Sequence, residues 1–304
     1  GDVQEGGTLT ADITGISDVD MGLQDIVTFS LDGTGLTIGS DVNWGLAMAT
    51  SLDGSVIAIG GNSQDGESGG GTTNTGVVQV YDVDSSTNPV TYSLKGNNII
   101  GNENERLGFN LKLTIDNGIT RLWVGGTNKI VIFDYDSNNN NWTRHSNEIS
   151  GSFLGFDFAV SSNSGLNNGK YLVSFSKVGS RIINFYENNA NFGNSPDYQL
   201  KFGYQVNYIG EAGGSDEIGI FWDGGTYSQN IFVLNAQKYE SNNFGIVELL
   251  QVNSDFTSFE VAQTFTNPIG TQSLWGYSLN DKGFKFESIT VESFRLNLMH
   301  RSLY

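Results

Sequence analysis

Residues 107–126 read LGFNLKLTIDNGITRLWVGG. Phe109, Leu111 and Leu113 alternate with Asn110, Lys112 and Thr114, a period of two that means strand. Asn117-Gly118 then supplies hairpin turn chemistry, and a second strand runs on to Gly125 and Gly126.

The pattern recurs on both sides. WGLAMATSLDGSVIAIGG starts at Trp44, LGFDFAVSSNSGLNNGKYLVSF at Leu154, FGYQVNYIG at Phe202 and WGYSLNDKGFKF at Trp275. Their opening glycines are Gly45, Gly108, Gly155, Gly203 and Gly276, spaced by 63, 47, 48 and 73 residues. A third stretch follows each pair: GVVQVYDVD from Gly76, KIVIFDYD from Lys129, RIINFYEN from Arg181 and GIVELLQV from Gly245. PVTYSLKG from Pro89 and FEVAQTF from Phe259 supply a fourth. A unit is therefore four short strands, and no stretch has helical periodicity with caps.

Such units predict an all-β fold, a β-propeller of four-stranded antiparallel blades. Five blades are expected. Surplus strand-like text in the fourth unit, EIGIFWDGG and NIFVLNAQ, leaves six or seven open. Residues 26–304 are expected to form one propeller domain behind an extended segment, 1–25. The last unit has only three strands. VTFSLDGTGLTIG at Val27 matches VTYSLKGNNIIG at Val90 at the same offset of 63, so strand 27–31 is expected to supply the missing one and latch the ring. Trp44, Leu107, Leu154, Phe202 and Trp275 share one repeat position, which predicts packing between blades; Trp123 is read the same way.

Composition narrows the function. Fifteen bases against 33 acids leave a formal charge of −18, which disfavours a groove for nucleic acid. No apolar run approaches the ~18 residues of a membrane span. The chain has no cysteine, hence no disulfide, thiolate metal site or Cys nucleophile. The opening GDVQEGGT is not a signal peptide.

The LGF…DG…VGG…G-V-V-x-V-Y pattern resembles the FG-GAP-type repeats of integrin-alpha-like propellers. It is most similar to the bacterial surface variety, in which a blade ends in an NNWT-like turn, here Asn140, Asn141, Trp142 and Thr143. The likeness covers residues 40–200 well and 200–304 loosely. It implies an extracellular or cell-surface binding scaffold, usually without catalysis. Many members carry a calcium loop between the first two strands of a blade. The corresponding turns here, SLDGS and TIDNG, are too short and too poor in oxygen ligands. GGTLTADITGISDVDMG from Gly6 is similar to the opening of tandem repeats in bacterial adhesins. If that likeness extends through Leu31, the 27–31 strand belongs to a preceding module instead of the latch.

Three clusters are candidate sites. Asp18, Asp20 and Asp25 are spaced so that three carboxylates could meet a calcium ion, or they form a solvated acidic turn. Asp65 and Glu67 lie in a Gly-rich connection between a second and a third strand, on the rim where integrin-like propellers bind partners. Glu211, Asp216, Glu217, Trp222, Asp223 and Tyr227 combine carboxylates with aromatics, which suits sugar binding. The plainer reading is an acidic loop with a core Trp222. His145 and His300 are far apart and read as surface histidines; Arg106, Arg144 and Arg181 read as isolated bases. The expected function is a non-catalytic, monomeric module that binds a glycan or an extracellular protein. The alternatives are an enzyme acting on polysaccharide through the fourth-unit carboxylates, and a passive spacer of an adhesin or phage particle.

Overall fold

The computed structural model describes residues 9–10, 28–29, 45, 47–62, 74–87, 89–151, 154–161, 168–176, 182–205, 217–222, 231–237 and 246–266. Its regular elements are all strands; among the described residues there is no helix. A short pair, β1 (Leu9–Thr10) and β2 (Thr28–Phe29), comes first. Four antiparallel sheets follow in chain order. The first is β3 (Ala47–Thr50), β4 (Val56–Gly61), β5 (Val77–Asp84) and β6 (Thr91–Leu94), with β7 (Ile99–Ile100) also on β5. The second is β8 (Leu111–Asp116), β9 (Ile119–Gly126), β10 (Lys129–Asp136) and β11 (Asn141–Arg144), with β12 (Ile149–Ser150) also on β10. The third is β13 (Phe158–Val160), β14 (Tyr171–Ser176), β15 (Ile182–Asn188) and β16 (Tyr198–Gln205). The fourth is β17 (Glu217–Trp222), β18 (Ile231–Gln237), β19 (Ile246–Val252) and β20 (Phe259–Thr266).

The hairpin turns explain the order. Asn117 and Gly118 have φ of +49° and +78°, and Asp116 pairs with Ile119 across them. In the first sheet Asp53 organises the turn. Its carboxylate accepts from Ser51 Oγ at 2.6 Å, Ser55 N at 3.0 Å and Ser55 Oγ at 2.8 Å.

Among the described residues, successive sheets share their apolar cores. One cluster joins Ala47, Ala49, Ala58, Val78 and Val80 of the first sheet to Leu111, Leu122, Val124, Val131 and Phe133 of the second. The next joins Trp123, Ile130 and Ile132 to Phe158, Val160, Leu172 and Tyr186 of the third. The last joins Ala159, Tyr171, Val173, Phe175, Ile183 and Phe185 to Leu250, Val252 and Phe259 of the fourth. Strand alternation produces this division: Leu122 and Val124 face back while Trp123 between them faces forward. Each of the larger side chains contributes about 1.5–3 kcal/mol when fully buried.

Glycine lets the sheets meet closely. A Cβ on Gly60 would stand 3.0 Å from Gly108 Cα, and one on Gly125 would collide with the Gly155 carbonyl oxygen. The opening glycine of one unit therefore abuts the Gly-Gly that ends the second strand of the unit before.

The outer strand of every sheet is interrupted. The gap between β6 and β7 corresponds to the gap between β11 and β12, while β16 and β20 each carry a register shift. Short or bulged edges resist edge-to-edge pairing with another chain.

Two sequence expectations are corrected here. Phe202 and Gly203 do not open a fourth unit. They lie in β16, paired with Phe185 and Asn184, and a Cβ on Gly203 would press on Ile182 at 2.8 Å. The text that looked surplus, 217–222 and 231–237, forms the first two strands of the fourth sheet. The described part of strand 27–31 pairs with Leu9–Thr10. Its expected latch partners, together with Trp44 and Trp275, lie outside the described residues.

Candidate functional site

Asp18, Asp20, Asp25, Asp65, Glu67, Glu211, Asp216, Asp223 and Tyr227 lie outside the described residues. Glu217 and Trp222 are the two ends of β17, paired with Ala236 and Ile231. The described residues do show what holds the two ends of the 63–73 connection. Its near end, Asn62, is buried. Its far end is tied to the start of the second unit. Asn74 O accepts from Arg106 N at 2.9 Å, Thr75 O from Leu107 N at 3.0 Å and Gly76 O from Gly101 N at 3.1 Å. Gly76 has φ +73°, and the Leu107 backbone occupies the space a Cβ would need.

Between Gly101 and Leu107 the backbone is strained. Asn104 and Arg106 have φ of +64° and +51°. For arginine that region is uncommon and costs of order 1–3 kcal/mol. Glu105, between them, fixes the segment. Its carboxylate accepts from Asn102 N at 2.8 Å, from Arg144 Nη1 and Nη2 at 2.9 and 2.7 Å, and from Lys129 Nζ at 3.2 Å. Glu148 closes the network onto Lys129 at 2.7 Å and Arg144 at 3.0 Å. Arg144 is thus no isolated base. Burial works to raise the Glu105 carboxyl, but Arg144, the Asn102 amide and Lys129 outweigh it and hold it down at about 2.

That depression has a signed consequence. A carboxyl lowered by folding contributes stability above its unfolded value and loses it as pH falls through the folded one. Glu105 drops from 4.5 to about 2, and Glu148, Asp134 and Glu187 are lowered in the same direction. The melting temperature should hold from pH 7 to about 5 and fall steeply between about pH 4.5 and 2. Glu105→Gln should flatten that fall. Calorimetry that finds the two proteins parallel across the acid limb would refute the assignment.

Arg106 differs from its neighbours. Of the described arginines, Arg121 and Arg144 are paired with carboxylates. Among the described residues no carboxylate lies within 4 Å of Arg106; its guanidinium lies 5.6 Å from the Phe109 ring and its Nε is buried without a hydrogen bond. Phe109 in turn packs on Phe156 of the third unit, centroids 4.0 Å apart, and Asn110 Nδ2 reaches Phe158 O at 3.5 Å. Phe109, Asn110 and Phe156 are all half-buried.

A second cluster lies between the second and third sheets. Arg121 is wholly buried and grips Asp134 through Nε at 2.6 Å and Nη2 at 2.7 Å, with a further bond from Nη2 to Asn194 O at 2.9 Å. Its guanidinium lies 4.5 Å from the Phe192 ring centre. His145 is not a surface histidine: its side chain is 14% exposed and Nε2 lies 2.9 Å from Asp134 Oδ2. Three sheets repeat this arrangement. An acid on the third strand meets a base two residues past its cross-strand partner: Asp82 with Lys95 at 2.8 Å, Asp134 with His145, and Glu187 with Lys201 at 2.8 Å. Sequence reasoning missed these pairs, although Asp82, Asp134 and Glu187 occupy one column of the aligned third-strand text.

Trp142 and Trp123 both serve packing between sheets. Trp142 lies in β11 and donates from Nε1 to Lys95 O at 2.8 Å, while Trp123 donates to Tyr198 Oη at 3.2 Å. Among the described residues, no group of three or more His, Asp or Glu is arranged to hold a metal ion.

No protein-family model and no curated protein matches the chain, so the likeness to FG-GAP repeats stands on the residues quoted above. Solved structures similar to it include a functionally unknown protein from Desulfotomaculum acetoxidans, at 13% identity and TM-score 0.44 over 81% of this chain and 61% of that one. A protein from Bacteroides uniformis provisionally named as a 6-phosphogluconolactonase is similar at 15% identity and TM-score 0.45, over 72% of this chain and 54% of that one. A NanB sialidase variant from Streptococcus pneumoniae is similar at 9% identity and TM-score 0.40, over 64% of this chain and 29% of that one. The chain thus spans less than two thirds of each, and at these TM-scores the fold rests on its own sheets.

Proposed function

We propose that the chain is a non-catalytic β-propeller module, displayed outside the cell or on its surface, that binds a glycan or an extracellular protein through loops on one rim. The observation that carries this reading is the anchored 63–73 connection. Both of its ends are fixed to rigid strands, and its far end is fixed to the next unit as well. Loops held by a rigid scaffold are where binding surfaces arise.

Ring closure belongs to the same reading. Met48, paired with Ile59, is 64% exposed on the face turned away from the second sheet. Its counterpart Leu111, paired with Val124, is 1% exposed because the first sheet covers it. A unit drawn from residues 267–304, completed by strand 27–31, would cover Met48 in the same way. Calcium at Asp18, Asp20 and Asp25 remains part of the proposal.

The test is a polysaccharide panel read twice on the same samples, for retention of the protein and for new reducing ends, with calcium and with chelator. Retention without release is the expected result, and replacing 63–73 by a short turn should abolish it without unfolding. Release of reducing ends would overturn the non-catalytic reading. If nothing is retained, neither a polysaccharide nor a protein array, the binding reading falls.

A further inference from the structure

We propose that Arg106, Phe109, Asn110 and Phe156 form a subsite for a carboxylated sugar; this rests on the rim-binding reading and specifies its ligand chemistry. The argument begins with the cation. In a chain of net charge −18, where acids outnumber bases by 33 to 15, the other described arginines are engaged by carboxylates and Arg106 is not. A planar guanidinium matches a carboxylate through two parallel hydrogen bonds. Its Nε is buried, so the two Nη groups are the donors that a bound carboxylate would meet.

The backbone adds a second, independent observation. Arg106 stands at φ +51°, a conformation glycine adopts without strain. Glycine is abundant in this chain, with 40 copies, yet arginine occupies this position. Strain of this kind persists where the surrounding structure fixes it, here through Arg106 N on Asn74 O and the Glu105 network beside it. It aims the side chain over Phe109.

The rings supply the rest. Phe109 and Phe156 come from successive units and pack at 4.0 Å, leaving both half-exposed beside the guanidinium. An aromatic surface suits the C–H face of a pyranose, and the Asn110 amide can answer a hydroxyl. One cation with an apolar platform suits a monoanionic sugar acid better than a phosphate, which calls for more donors against the same negative field.

The experiment uses the full chain and calorimetric titration. The probes are oligogalacturonate, alginate oligomers and hyaluronan oligomers, each beside its carboxyl-reduced, neutral counterpart. At least one acidic oligomer should bind about tenfold more tightly than its neutral partner. Arg106→Gly should erase that difference while keeping the melting temperature at or above that of the parent, because glycine relieves the strain. Arg106→Lys, which keeps the charge and loses the fork, should fall between the two. The subsite is overturned if no acidic oligomer outbinds its neutral partner, or if Arg106→Gly retains the discrimination. Neutral sugars that bind the parent as tightly as every acidic oligomer would sink the subsite and leave the rim-binding reading standing.

Discussion

Arg121→Met should lower the unfolding free energy by about 3–5 kcal/mol, although methionine fills much of the same volume. The arginine is wholly buried and holds both oxygens of Asp134. Removing it leaves a carboxylate, side chain 17% exposed, with His145 Nε2, 2.9 Å away, as its remaining side-chain neighbour. Asn194 O in the third unit loses its donor, and the Phe192 ring loses the cation that covers it. The damage is therefore to the seam between two sheets, and Asp134→Leu should rescue part of it. A buried ion pair replaced as a unit is close to neutral, whereas a half-pair is not. Urea unfolding of the two single variants and the double variant gives the cycle. If Arg121→Met unfolds within 1 kcal/mol of the parent, or if the double variant is worse than both singles, the pair does not hold the seam.

This cluster also marks the boundary of what the sequence discloses. Strands and turns were legible because their signals are local. Alternation through Leu111 and Leu113, and the Asn117-Gly118 turn, depend on residues only a few positions apart. The packing roles of Leu107 and Leu154 followed from repeat position and that of Trp123 from its place in the second strand, and all three are buried. His145 was misread because a histidine flanked by polar residues looks exposed. Its partner Asp134 is on another strand, and Arg121 on a third.

The fourth unit shows the opposite error, a local signal that was false. Phe202-Gly203 copies the aromatic-glycine opening of other units, yet Gly203 is small because Ile182 presses on it from the paired strand. Dipeptide identity does not reveal which neighbour demands the missing side chain. The true first strand, 217–222, lacks an opening glycine-aromatic pair and so looked surplus. Arg106 was passed over for a related reason. Its reading as an isolated base agrees with the described residues, but its backbone angle is not written in residue type.

Gly125→Ala tests the packing rule directly, and it should be among the most damaging single-methyl changes in the chain. In an ordinary strand, replacing glycine by alanine is neutral or stabilises by ~0.4–1 kcal/mol, because the unfolded chain loses freedom. At Gly125 the added carbon runs into the Gly155 carbonyl, with the Phe158 ring 3.1 Å away on the same side. The obstacle is backbone, so no rotamer change relieves it. The second and third sheets must separate, which loosens the core around Trp123, Ile132 and Phe158. Overpacking of a yielding core costs about 1–3 kcal/mol, and a backbone collision should reach about 3 kcal/mol or more. The equivalent Gly60→Ala meets Gly108 Cα at 3.0 Å and should cost less. Gly118→Ala, in an open turn at φ +78° with nothing within 4 Å, should cost only the backbone penalty of about 1 kcal/mol. The expected order of urea midpoints is Gly118→Ala, then Gly60→Ala, then Gly125→Ala. A Gly125→Ala protein as stable as Gly118→Ala would mean that successive units do not meet through these glycines. The shared cores would then need a different arrangement of the sheets.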